Sequence, residues 1–178
     1  MLKDYSLTLN HSIMKEKSIE LLNKAVADEL SAVHQYMYFH FHCDDQGYDL
    51  LAGLFKRTAI EEMLHIEKLA ERIIFLKGDV EMKASTEVEK VNQVTAMLEM
   101  AAKMESSSAD DYNKWAIECS NNADSVSKSL FETLVVDEER HFDQYDVEID
   151  NLKKFGDNYL ALQSIERSKN IAAGRPVD

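Results

Sequence analysis

The sequence predicts an all-α fold: a four-helix bundle with a long crossover between its second and third helices and a short fifth helix near the C-terminus. Three observations predict it. The 178 residues include one Pro and five Gly while 45% are hydrophobic, so long unbroken helices around a sizeable core are favoured. Apolar residues recur at i, i+3, i+4 spacing over four separate stretches. Two of those stretches carry a Glu followed three positions later by a His, Glu62 to His65 and Glu138 to His141. On a helix, residues three apart share a face.

Residues 1–12 have no clear periodicity and read as an N-terminal arm; residues 13–155 read as the bundle. The first helix is expected over about Ile13–Cys43, with Ile19, Leu22, Val26, Glu29, Val33, Tyr36 and His40 on one stripe. Asp44-Asp45-Gln46-Gly47 is a turn signal. The second helix spans about Tyr48–Lys77, with Leu51, Phe55, Thr58, Glu62, His65, Leu69, Ile73 and Leu76 inward and Gly78 expected as its C′ residue. Residues 78–91 are polar and lack a stripe, yet are long enough to run the length of a bundle, which makes the next helix parallel to the second. The third helix covers about Asn92–Cys119, with Glu105 and Tyr112 inward, and is expected to continue through Ser106-Ser107-Ser108 although serine is a poor helix former. Ser120-Asn121-Asn122 signals another turn, and the fourth helix follows over about Ala123–Phe155, with Glu138, His141 and Tyr145 inward. Gly156-Asp157-Asn158 breaks it, a short helix spans Tyr159 to about Lys169, and residues 170–178 are expected to be a mobile tail.

The spacing of the acidic residues carries the chemistry. In an antiparallel hairpin, residues equidistant from the turn sit at one level. Glu29 lies thirty-three positions before Glu62, and Glu105 thirty-three before Glu138, and both midpoints fall on the predicted turns. Each hairpin therefore sets one Glu opposite one Glu-x-x-His. This is the ligand pattern of di-iron and di-manganese carboxylate bundles. No Lys or Arg lies on the stripe of Glu29, and a buried unpaired carboxylate is unfavourable, so a metal is the better explanation than a core ion pair. Glu29, Glu62, His65, Glu105, Glu138 and His141 are the expected metal ligands and catalytic residues. Tyr36 and Tyr112 each follow a ligand Glu by two helical turns and share its face. Tyr36 is read as a donor to a ligand carboxylate, while Tyr112 fits that role and a plain core aromatic equally.

A formal net charge of −13 argues against nucleic-acid and anionic-membrane partners and favours cation attraction. No apolar run is long enough to span a bilayer, the first residues lack a secretory signal, and a cytoplasmic location is expected. Cys43 and Cys119 fall near opposite ends of the predicted bundle, roughly 40 Å apart at 1.5 Å per residue, too far for a disulfide.

Glu29-Leu30-Ser31-Ala32-Val33-His34-Gln35-Tyr36, the stretch from Glu61 to Ile74, and Asp137 to His141 together resemble bacterioferritin, the haem-containing branch of the ferritin-like family. Gly156-Asp157-Asn158-Tyr159-Leu160 resembles the break before that family's fifth helix. The resemblance spans about Glu20 to Lys169. It implies an iron-storage ferroxidase with two iron ions per subunit, with Glu62 and Glu138 bridging. It further implies Fe(II) and O2 or H2O2 as reactants, a homo-oligomeric cage of twenty-four subunits built from dimers, and a small ferredoxin as electron donor for iron release. It places Met63 where the family binds haem iron between two subunits. From helix geometry Met63 faces away from the metal residues, roughly 160° from His65, with Ala59, Ile66 and Ala70 expected on its outer face and Lys56 and Glu67 beside it. A methionine filling an ordinary subunit contact is the competing reading.

Two departures from the family are visible. Arg57 and Glu61 stand where some members carry a His and an Asp on the cavity side, and Gln144 replaces a Trp three positions after the last ligand His. Two other classes compete. A rubrerythrin-like peroxidase without storage usually carries a four-Cys module, and two cysteines cannot build one. DNA-protecting mini-ferritins place their iron site between subunits, whereas here one chain holds the full set.

Overall fold

The computed structural model describes residues 2–174, with side chains from Lys15 onward. Five helices account for its regular structure: α1 (Leu2–Asp45), α2 (Asp49–Phe75), α3 (Val94–Asn121), α4 (Ser125–Phe155) and α5 (Asp157–Ala172). α1 packs along α2 and α3 along α4, giving two antiparallel hairpins. α1 begins at Leu2, not near Ile13, because no Gly or Pro precedes Gly47 to stop it. Residues expected to form an arm thus continue the helix. α3 runs unbroken through Ser106-Ser107-Ser108, which lie on its outer side.

The C-terminal ends of α1, α2 and α3 share one device. Tyr48 N–H donates to Cys43 O, Gly78 N–H to Ile73 O and Asp124 N–H to Cys119 O, while the preceding residue donates to the carbonyl three back. This is the Schellman pattern, and it requires a left-handed residue at C′. Gly47 fills that position after α1 with φ 81°, but Lys77 (φ 66°) and Ala123 (φ 56°) fill it after α2 and α3. The expectation that Gly78 is the C′ residue is therefore off by one. Gly78 has a different reason to be glycine: a Cβ there would come within 2.7 Å of Ile19 Cγ2.

Residues 76–93 carry the chain back along α1, so α3 runs parallel to α2, as expected. Irregular backbone needs hydrogen-bond partners, and α1 side chains supply them. Asn23 pairs with Asp79 O and Glu81 N, Ser31 with Thr86 N, Gln35 with Glu89 O and N, and Tyr38 with Asn92. Polar residues at these positions hide the segment from any apolar-stripe reading.

α5 starts directly after Gly156 and continues to Ala172, so residues 170–172, expected in the mobile tail, are helical. Residues 175–178 of that expected tail lie outside the described residues. Arg167 anchors α5 to the first turn through Asp44 (2.9 Å) and Asp49 (2.5 Å).

The buried apolar core falls into two clusters. One holds Tyr36, Phe39, Cys43, Leu51, Phe55, Met97, Leu98 and Tyr145; the other holds Leu22, Val26, Leu69, Ile73, Tyr112, Cys119, Phe131 and Leu134. The cysteines belong to opposite clusters and both are free thiols. No helix among the described residues is long and apolar enough to cross a membrane.

Candidate metal centre

Between the two apolar clusters lies a buried polar layer with one contribution from each of α1 and α3 and a pair from each of α2 and α4. Glu29, Glu62, His65, Glu105, Glu138 and His141 are each at most 3% exposed. Burying four carboxylates without partners would be strongly destabilising, so their arrangement matters. They form two overlapping sets. Glu29, Glu62, His65 and Glu138 bring one ligand atom each to within 4.8 Å of one another; so do Glu62, Glu105, Glu138 and His141. Glu62 and Glu138 belong to both sets.

The distances show where the atoms aim. His65 Nδ1 lies 2.8 Å from Glu62 Oε2 and 3.3 Å from both Glu29 Oε1 and Glu138 Oε1. His141 Nδ1 lies 3.1 Å from Glu62 Oε1, 3.5 Å from Glu105 Oε2 and 3.6 Å from Glu138 Oε2. Close as they are, Glu62 Oε2, His65 Nδ1, Glu138 Oε1 and His141 Nδ1 make no hydrogen bond. They converge on common points between the helices, not on one another. Oxygen and imidazole donors in this number suit a first-row divalent metal such as iron or manganese.

The electrostatics agree. Burial, with Glu62 next, holds Glu29 and Glu105 well above the ordinary carboxylate range. Burial disfavours a charged His65, but Glu138, Glu29 and Glu62 around it outweigh burial and hold its pKa up at about 12. Without a cation from elsewhere, the layer can keep its charge in check only by holding protons.

The outer contacts repeat between the hairpins. Tyr36 Oη donates to Glu105 Oε1 at 2.5 Å, and Tyr112 Oη to Glu29 Oε1 at 2.7 Å. Each tyrosine thus holds the carboxylate of the opposite hairpin, not the one on its own helix, and Tyr112 takes the same part as Tyr36. His65 Nε2 pairs with Asp137 Oδ2 at 3.2 Å, and His141 Nε2 with Glu61 Oε2 at 2.6 Å. Such contacts fix imidazole orientation, leaving Nδ1 to face the centre.

Asp137 and Glu61 were not singled out as site residues from the sequence. A signal existed: an acidic residue precedes the Glu of both Glu-x-x-His motifs. Seventy-six positions separate Glu61 from Asp137, as they do Glu29 from Glu105, Tyr36 from Tyr112 and His65 from His141.

Met63 stands on α2 outside this layer, 52% exposed, with Ile60 and Leu64 also exposed. Two of its expected outer-face neighbours lie elsewhere. Ala59 and Ile66 are buried within the chain, at 2% and 7% exposure, each in one of the two apolar clusters. Lys56 and Glu67 are exposed, as expected.

The sequence model of the Ferritin-like domain family matches residues 19–155. A bacterioferritin of Desulfovibrio desulfuricans is 38% identical over 152 residues, covering 85% of each chain. A bacterioferritin of Brucella melitensis is 37% identical over 141 residues, 79% of this chain and 88% of that protein. The X-ray structure of Desulfovibrio desulfuricans bacterioferritin, described by the catalytic states of its di-iron site, superposes with a TM-score of 0.85 at 36% identity, covering 86% of this chain and 90% of that one.

Proposed function

The chain belongs to the bacterioferritin family, and from that premise we propose that it is an iron-storing ferroxidase whose di-iron ligands are Glu29, Glu62, His65, Glu105, Glu138 and His141. One observation carries the ligand assignment: four buried donor atoms, one each from Glu62, His65, Glu138 and His141, lack hydrogen bonds while converging between the helices. The donor set fits two iron ions. Bound there, they supply the two electrons that reduce O2 or H2O2 as Fe(II) becomes Fe(III).

The chain's own residues prepare that chemistry. Glu62 and Glu138, common to both donor sets, fit bridging positions. Four carboxylates, if all ionised, offset the full charge of two divalent ions. Tyr36 and Tyr112 hold Glu105 and Glu29 in place through their hydroxyls. Asp137 and Glu61 hold the imidazoles. The apolar clusters on either side keep bulk water from the layer. In Glu62→Ala and His141→Ala, rapid Fe(II) oxidation should disappear in stopped-flow traces while far-ultraviolet circular dichroism stays helical. Wild-type rates in both variants would overturn the assignment.

Iron storage needs an enclosure, and the family implies an oligomeric cage; twenty-four subunits built from dimers is the proposed number. Two surfaces support assembly. Leu162 and Ile165 of α5 are 65% and 50% exposed, and beside them Gln163 is buried with neither amide atom hydrogen-bonded within the chain. The second surface is the apolar patch around Met63. A thioether suits haem iron, and Met63 is the residue proposed to hold a haem at a two-fold contact, where it would serve electron transfer. A small ferredoxin is the proposed electron donor for iron release. A cytoplasmic location is supported by two unpaired buried thiols, which suit a reducing compartment.

A further inference from the structure

One cation stands directly outside the metal layer, and the internal repeat does not account for it. Arg140 Nη2 donates to Glu61 Oε2 at 2.8 Å and to Asp137 Oδ1 at 3.2 Å, and lies 3.3 Å from His141 Nε2. Glu61 Oε2 is the same atom that pairs with His141, while Asp137 pairs with His65 through its other oxygen. The contacts therefore form one chain of groups: His65, Asp137, Arg140, Glu61, His141. Every other member has its counterpart seventy-six positions away, but the counterpart of Arg140 is Leu64, an exposed leucine. A single nitrogen thus serves both hairpins.

The need for it is physical. Glu61 and Asp137 are brought close enough for one nitrogen to reach both, and two carboxylates at that separation repel. Both are partly exposed, at 38% and 26%, so water can solvate them if they turn outward. Turning outward would release the imidazoles they hold. Lys68 approaches Asp137 alone, at 3.9 Å, too far for a hydrogen bond. Glu62, Glu138 and Glu105 face His141 from the inner side.

We propose that Arg140 is a positioning residue that clamps Glu61 and Asp137 together and so fixes both ligand imidazoles, His65 and His141, for metal binding. This rests on the di-iron reading of the layer. The clamp needs a cation and several donors on one nitrogen, not the planar fork of a guanidinium, because Nη2 makes every contact. A lysine ammonium carries three donors on one nitrogen.

The test uses Co(II) as the probe on the assembled, metal-free protein, read by its d–d absorption and by its release to a chelator. Wild type should bind two Co(II) per subunit; failure there overturns the di-iron reading itself. Given that binding, Arg140→Gln and Arg140→Leu should weaken Co(II) affinity by about 10–100-fold, the usual effect of losing a partner of a ligand. Their d–d bands should change shape and their release should quicken. Arg140→Leu repeats the residue already tolerated at the equivalent position, so it reads the same loss if the glutamine variant does not fold. Arg140→Lys should restore affinity and band shape, and Lys68→Gln should leave both unchanged. Wild-type binding in the glutamine or leucine variant would overturn the proposal. So would an equal loss in Lys68→Gln, which would make the effect one of net charge, or no rescue by lysine.

Discussion

At the scale of single residues, the contacts separate the proposed ligands from the side chains that hold them. Tyr36 and Tyr112 are fully buried and donate to Glu105 and Glu29, carboxylates of the proposed metal site. Replacing either by Phe removes a donor and leaves a carboxylate oxygen with one partner fewer. Tyr36→Phe and Tyr112→Phe should each weaken Co(II) binding or slow Fe(II) oxidation by about tenfold or more, comparable with losing other groups that orient ligands. Stopped-flow rates equal to wild type in both would reduce them to core aromatics. The pH behaviour of the metal-free protein follows from the same layer. Glu29 and Glu105 are raised well above their ordinary value and His65 is raised to about 12, first against and then because of its surroundings: burial opposes its charge and three carboxylates restore it. Groups raised on folding contribute stability below their unfolded pKa and lose it as pH rises towards the folded value. The apo-protein should therefore weaken as pH rises above the ordinary carboxylate range, and metal binding should release the protons these groups hold. The gain in Tm on adding Co(II) should grow from about pH 6 to about pH 8; a flat profile would contradict protonated ligands in the apo-layer. The six proposed ligand residues stand out in the sequence because charge on an apolar stripe is conspicuous, and the structure gathers them in one buried layer. Glu61 and Asp137 are marked only by the repeat of an acidic residue before each Glu-x-x-His, and Arg140 by nothing, because a charged residue at a half-exposed helix position is the commonest occupant there.

At the scale of elements, helix existence and direction were legible while helix ends were not. Residues 2–12 carry no apolar stripe in the sequence, and the absence of Gly and Pro before Gly47 is the one sign that the helix extends to Leu2. The crossover was legible by length alone. Its attachment to Asn23, Ser31 and Gln35 was not, because isolated polar residues on a helix read as surface. The end of α2 is the instructive miss. Glycine after a helix usually marks the left-handed C′ residue, but here Lys77 takes that conformation and Gly78 is small to admit Ile19. The two positions should respond in opposite directions. Lys77→Gly and Ala123→Gly relieve left-handed strain and should each stabilise by about 0.5–1 kcal/mol. That corresponds to roughly 2–4 °C per kcal/mol in Tm for a chain of this size. Gly78→Ala drives a Cβ against Ile19 and should destabilise by about 1–3 kcal/mol. Calorimetry on the metal-free protein would check all three, and a stabilising Gly78→Ala would refute the contact argument.

At the scale of the whole molecule, the repeat of two hairpins explains why one face is left to other copies. The paired hairpins bury the metal layer completely, yet leave apolar residues outside. Met63 is 52% exposed, Ile60 45%, Leu64 44%, Ile74 57% and Phe75 71%, all on or at the end of α2. Ile60, Met63 and Leu64 form one apolar group, separated from Ile74 and Phe75 by exposed Glu67 and Glu71, and exposed apolar groups rimmed by charge mark contact surfaces. In a two-fold contact each residue meets its own copy or a near neighbour, which brings two Met63 side chains towards one place. The resemblance to bacterioferritins and the soft thioether donor make haem the expected occupant. The burial of Ala59 and Ile66 changes what surrounds it: Ile60, Leu64, Lys56 and Glu67 are the accessible neighbours on α2. Protein expressed with ample porphyrin should carry a haem absorption band at about one haem per two subunits. Met63→Leu should lose that band yet keep its particle size by light scattering and its Fe(II) oxidation rate, because Met63 is half-exposed on α2 outside the buried layer. Met63→His should retain haem with an altered ligation spectrum. Wild-type protein that takes up no haem, while still forming a cage, would leave Met63 as a side chain filling the contact between two copies.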